Sequence, residues 1–246
     1  VATVGPDLLG EPGAGEQLDG VGVLERFAGL GVPEPHQVAD REQRGGVPDA
    51  VPRQRARSLV VRRLKDASVA QLRARRAEIA DAVRGVAEIG LWNAGGSGSL
   101  ESSAADPVVT EVSAGSGLLV PTLFDHYQAF EPRPAAFFGL PVTRRPSRDV
   151  ATVQAGGQVA SGAAGGDRLP TPWAPAGLHL TGLEGAGEVQ TPLTGHPAAL
   201  LRIGDLVWFR HAKSGELFEH TNSVRLLAGS AFVDEVPTYR GCGQAW

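Results

Sequence analysis

Five consecutive small residues, Gly95-Gly-Ser-Gly-Ser99, are the first place in this 246-residue chain where residue types point to chemistry. Glycines let a backbone approach a ligand closely, successive N–H groups can converge on it, and two hydroxyls add donors. These are the parts of a phosphate cradle. The same residues also make an ordinary surface turn, because Gly/Ser stretches are conformationally permissive. A second small-residue run, Ser113-Ala-Gly-Ser-Gly117, follows Thr110-Glu-Val112. Two such loops at this interval fit successive strands of an α/β barrel ending side by side, where phosphate sites are commonly built. His211-Ala-Lys213 is the other candidate. Its spacing allows a functional pair, or two side chains alternating on one face of an exposed strand. His126 could approach a ligand held by the glycine loops or sit in an ordinary loop. His36, His179, His196 and His220 lack partners at metal-ligand spacing and read as surface or structural. Cys242, the single cysteine, forms neither an internal disulfide nor a Cys-rich zinc site and has no histidine at a recognisable spacing.

These residues need elements to hold them. From Leu64 on, Val69, Leu72, Ile79, Val83 and Val86 recur near helical spacing with Arg73, Arg75, Arg76, Glu78 and Asp81 between them, which predicts an amphipathic helix. A strand over residues 86–92 then leads into the first glycine loop. Beyond Thr110 the chain reads as short strands punctuated by Pro and Gly, at 136–142, 150–154, 200–210 and 231–236, and so as a β-domain. Residues 1–62 show neither a two-residue nor a 3.6-residue apolar rhythm. They read as irregular, with the Ala/Gly/Pro/Arg bias that a GC-rich gene gives in a shifted frame. Residues 63–125 read as the end of an α/β barrel and 126–246 as the C-terminal β-domain.

The composition is 42% hydrophobic and 20% charged, with a net charge of −4 and lysine only at positions 65 and 213. That balance offers little continuous positive surface for nucleic acid. The absence of a long apolar run argues against a membrane span and points to a cytoplasmic protein. With Val first and no Met anywhere, the chain reads as a fragment.

Several ordered motifs carry a family resemblance: Asn93-Ala-Gly-Gly-Ser-Gly-Ser-Leu-Glu101, Thr110-Glu-Val-Ser-Ala-Gly-Ser-Gly117, Phe124-Asp-His-Tyr127, Gly185-Ala-Gly-Glu-Val-Gln-Thr-Pro-Leu193, Ile203 through Glu216, and Pro237-Thr-Tyr-Arg-Gly241. Across roughly residues 86–246 the chain resembles the rear of the bacterial amino acid deaminases. That group is similar to D-serine dehydratase and D-threonine aldolase, enzymes of the alanine racemase-like fold type that use pyridoxal 5'-phosphate (PLP).

The resemblance implies an α/β barrel that binds PLP, followed by a β-domain, usually in a homodimer. It makes Gly95, Gly96, Ser97, Gly98 and Ser99 the cofactor-phosphate loop and places Glu188 and Gln190 either in the substrate pocket or at a β-turn. In the family a lysine on the first barrel strand forms the Schiff base with PLP, and this sequence has no counterpart. Lys65 reads as a solvated lysine at the start of the helix. Eight βα units need about 240 residues, so only the last one or two units can be present.

In the dehydratase and aldolase relatives a His-x-Cys or His-x-Asp pair binds a divalent metal, zinc or manganese. Here the matching place reads His211-Ala-Lys213, which keeps His211 as one metal ligand and puts an ammonium in place of the second. The expectation is that Lys213 stands where the metal would be and meets a substrate hydroxyl or carboxylate, with His211 beside it in catalysis. The parent activity implied is a lyase that dehydrates and deaminates small β-hydroxy D-amino acids such as D-serine or D-threonine. The alternatives are an inactive fragment without the Schiff-base lysine, or an aldolase or racemase of the same fold.

Overall fold

The computed structural model describes residues 2–3, 52–125, 127, 133–228 and 231–244. The chain forms two compact units, one of residues 33–115 and the other of residues 1–32 with 116–246. Among the described residues no helix is long and apolar enough to cross a membrane. Most of residues 1–62, including His36, lie outside the described residues.

The smaller unit is built on helix α1 (Pro52–Arg84), which begins twelve residues before the apolar rhythm does. Pro52 is tolerated in the first turn because the N–H it lacks would have no intrahelical partner there. Lys65 therefore lies in mid-helix, and it is exposed. Nor is the packed face the expected one. Val69, Arg73, Arg76, Ala80 and Val83 are buried or half-buried, whereas Leu64, Leu72 and Ile79 remain 63%, 49% and 56% exposed.

Two arginines bind the helix to the chain beyond it. The Arg76 guanidinium donates to the Asp106 carboxylate at 2.5 Å, and Asp106 is almost fully buried. Arg73 donates to the Ser102 carbonyl at 3.2 Å. Long arginine stems cover apolar surface while their heads find acceptors, so charged positions can form an inner face.

After α1, residues 86–92 do not form the expected strand. The N–H groups of Val86 and Ala87 fold back onto the Val83 carbonyl, so helix termination consumes the segment. Strand β2 is Asn93–Gly95 and pairs in parallel with β3 (Glu111–Ser113), with the short helix α2 (Leu100–Ala104) between them. Parallel strands need such a crossover. This is one βα unit, and the two small-residue loops do leave adjacent strand ends.

The larger unit is β-rich. Its strands are β1 (Ala2–Thr3), β4 (Phe137–Ser147), β5 (Val150–Gln154), β6 (Thr171–Ala174), β7 (His179–Leu180), β8 (Gln190–Thr194), β9 (Leu206–Arg210), β10 (Ser223–Ala228) and β11 (Ala231–Pro237). The order β11-β10-β1-β4-β5-β8-β7 runs across the sheet, with β9 joining β4 to β6. Alternation decides which face is inside. Phe138, Leu140 and Val142 of β4, Ala151 and Val153 of β5, Leu193 of β8, and Val207 and Phe209 of β9 form one apolar core, with Phe138 stacked on Phe209 at 5.4 Å. Among the described residues of this unit helical structure is confined to short 3-10 turns. The β-domain read from the sequence is present.

Candidate active site

In the smaller unit the glycine loop begins inside β2 rather than after it. Gly95 has φ 154°, and a Cβ there would lie 2.3 Å from the Ser113 carbonyl oxygen on the neighbouring strand. Only glycine allows the strands to come this close. Gly96, with φ 111°, turns the chain and donates its N–H to the Ser113 carbonyl at 2.8 Å. Ser97, Gly98 and Ser99 form a 3-10 turn that runs directly into α2, with Ser97 buried.

Asn93 anchors the base. Its side-chain amide donates to Ser113 Oγ at 2.6 Å and to the Glu111 carboxylate.

Several donors of the loop are already engaged. Ser99 Oγ donates to the Gly95 carbonyl at 3.0 Å, and Ser99 N–H to the Gly96 carbonyl at 2.9 Å. The donors nearest an anion are the backbone N–H groups where the 3-10 turn Ser97–Ser99 begins, since the start of a helical segment is where N–H groups face outward. That donor set fits a phosphate. It does not fit the aldehyde end of PLP, because the unit's one described lysine, Lys65, is exposed on α1. Gly95→Ala is expected to break the β2–β3 register and abolish binding of inorganic phosphate to this unit. Isothermal titration of the variant against the unaltered chain checks it.

In the larger unit His211 and Lys213 stand just past the end of β9, in the turn leading to a 3-10 segment over Glu216–Glu219. They do not alternate on an exposed strand. His211 is 3% exposed, with Nε2 at 3.4 Å from Ser214 Oγ. Burial, and then the adjacent Arg210 charge, push its pKa down to about 4, while the backbone of Ala136 opposes them weakly. His211 is therefore neutral at pH 7.

A base whose folded pKa is depressed binds fewer protons in the native than in the unfolded state, so stability rises with pH between the two values. The His211 contribution is complete above its ordinary value of 6.5 and is lost as pH falls from there toward 4. A His211→Gln variant is expected to flatten that part of the stability profile in urea unfolding at stepped pH.

Lys213 is half-buried. Its Nζ donates to Ser161 Oγ at 2.9 Å and to the Ser161 carbonyl at 3.2 Å. His211 and Lys213 share a small recess with Gln158, Glu216 and His220. Sequence spacing gave no sign of Gln158, Ser161 or Glu216, which converge from segments more than fifty residues apart, and it set His220 aside.

The wall bearing Gln158 is fixed by a tight crossing of two segments. Thr191 Oγ1, fully buried, donates to the Ala155 carbonyl at 2.6 Å and accepts the Gly187 N–H at 3.1 Å. A Cβ on Gly156, where φ is 117°, would meet that oxygen at 2.2 Å.

The other expected residues fall elsewhere. Glu188 is exposed with its backbone against Gly157, and Gln190 begins β8 opposite Gln154. His179 and His196 are exposed, as is Cys242, and His126 lies outside the described residues.

The recess does not suit a divalent ion. Among the described residues no three His, Cys, Asp or Glu side chains converge, and a protonated lysine beside one histidine is a donor rather than a ligand.

No family model matches the sequence, and no curated protein matches it by sequence. Solved structures do match. D-threonine aldolase from Filomicrobium marinum aligns over 72% of this chain and 48% of its own, with TM-score 0.57 and 21% identity. D-threo-3-hydroxyaspartate dehydratase from Delftia sp. HT23 aligns over 70% and 50%, with TM-score 0.52 and 17% identity. A cysteine-to-alanine variant of that dehydratase in a metal-free form gives TM-score 0.51 at 18% identity. The chain thus spans about half the length of the solved proteins it matches. The resemblance read from its motifs holds at the level of fold: this chain has the fold of about half of D-threonine aldolase and of D-threo-3-hydroxyaspartate dehydratase.

Proposed function

We propose that this chain is part of a cytoplasmic, homodimeric PLP-dependent lyase that dehydrates and deaminates a small β-hydroxy D-amino acid of the serine or threonine type. The observation that carries the reading is the Lys213 ammonium, 2.9 Å from a hydroxyl at the mouth of a recess whose histidine is neutral. Gly95 to Ser99 hold the cofactor phosphate through backbone donors. PLP bound there would supply an electron sink for the charge left when the substrate α-proton passes to a cofactor lysine that this chain does not carry.

Lys213 donates a hydrogen bond to the substrate β-hydroxyl and protonates that oxygen as it leaves as water. His211, uncharged, places no second positive charge beside the ammonium. Among the described residues no set of side chains completes a metal site beside Lys213.

A second reading, an inactive portion without its covalent lysine, is favoured for the chain alone by the exposure of Lys65 and the engagement of Lys213. The two readings separate in one experiment. The chain with PLP is expected to show cofactor binding that inorganic phosphate displaces, to retain no cofactor after borohydride and denaturation, and to release no pyruvate from D-serine. Supplying a polypeptide with the missing barrel units and their lysine is expected to restore pyruvate release. If PLP does not compete with phosphate, the cofactor assignment fails. If restored material releases glycine from D-threonine and no keto acid from D-serine, the reaction is the aldolase one.

A further inference from the structure

Residues 158–168, between β5 and β6, form a glycine-rich loop over the recess. Its neck is closed by the Ala160 N–H donating to the Arg168 carbonyl at 2.8 Å, and residues 161–167 are exposed. One residue, Ser161, pins the loop. Its N–H donates to both oxygens of the Glu216 carboxylate at 3.1 and 3.0 Å, while its hydroxyl and carbonyl accept from Lys213 Nζ. Hydrogen bonding by Ser161, and then the Lys213 and Arg168 charges, hold the Glu216 carboxyl below the usual range.

The distribution of partners is uneven. The two charged groups at the rim are engaged by an exposed loop, whereas a neutral group deeper in, Gln158 Oε1, is buried with no hydrogen-bond partner among the described residues. Unsatisfied buried polar atoms are uncommon in native proteins and call for an explanation. Ser161 offers an N–H to a carboxylate and an oxygen pair, carbonyl and hydroxymethyl, to an ammonium. A free serine carries the same three kinds of polar group.

We propose that Ser161 is a built-in stand-in for the ligand, and that residues 158–168 are a lid that a small hydroxy amino acid opens by taking the place of Ser161 on Lys213 and Glu216. The ligand amine replaces the N–H on Glu216, its hydroxyl and carboxylate replace the oxygens on Lys213, and the recess below becomes accessible. Gly162, at φ 116°, and the Gly165-Gly166 pair give the loop backbone the freedom to swing. The link from this docking to turnover rests on the function proposed above, but the latch itself does not.

Hydrogen exchange of the full chain, read at the Ser161 amide at fixed pH, tests it. Glu216→Gln, and separately Lys213→Ala, are expected to speed exchange about tenfold, the loss of one charged hydrogen bond, with unchanged near-ultraviolet dichroism. Millimolar D-serine is expected to speed exchange across 161–167 in the unaltered chain, and D-alanine, which lacks the hydroxyl, is not. Exchange insensitive to both substitutions overturns the latch. A latch that responds to both substitutions while D-serine slows exchange, or leaves it unchanged, overturns the displacement. Failure of PLP to bind in the preceding experiment touches neither result.

Discussion

Arg210→Ala is expected to destabilise the β-rich unit by about 3 kcal/mol, the low end of the range for breaking a buried ion pair. Arg210 is the last residue of β9, its side chain only 6% exposed. It grips Asp125 with two hydrogen bonds of 3.0 and 2.7 Å and also donates to the Val120 carbonyl at 3.1 Å. Its guanidinium lies 5.3 Å from the centre of the Trp173 ring. Truncation would strand the Val120 carbonyl and open a void beside the ring, while Asp125, more than a third exposed, can return to water. That asymmetry places the cost of losing Arg210 at the low end, whereas Asp125→Asn keeps an acceptor but leaves the buried guanidinium without its counter-charge and is expected to cost at least as much. Urea unfolding should show a lower midpoint at constant slope. The same substitution removes a positive neighbour of His211, so an NMR titration of its ring is expected to move upward from about 4.

The second large effect concerns chemistry. In a complete polypeptide carrying this His-Ala-Lys sequence together with a cofactor lysine, Lys213→Gln is expected to lower turnover of D-serine by about 10²–10⁴-fold, the usual contribution of a positioned acid. Glutamine can still hydrogen-bond to a hydroxyl, so the Michaelis constant should change far less than the turnover number. Chelators should leave the unaltered enzyme active. Activity abolished by chelation and restored by zinc would remove Lys213 from the role proposed for it.

Much of the β-unit was legible because alternation is a local signal. Residues 150–154 form a strand over the expected span, and 231–236 needed only one more residue. β6 and β8 were missed because Pro172 and Pro192 interrupt the pattern that reveals a strand, and both strands tolerate the missing donor within the fold.

The glycine loop was legible as a backbone feature, since Gly95 and Gly96 do adopt positive φ. The inner face of α1 was not, because arginine stems replaced the aliphatic side chains that periodicity counts. The recess was half legible. His211 and Lys213 are two positions apart, but burial of the histidine depends on a turn beyond β9, and the Ser161–Glu216 contact is closed only in three dimensions.

The reversed polarity of α1 has a practical corollary for handling the protein. Kosmotropic salt strengthens association of the uncovered Leu64, Leu72 and Ile79 side chains between molecules. Ammonium sulfate fractionation should therefore promote clumping through this face, and preparations kept in dilute buffer should stay dispersed longest.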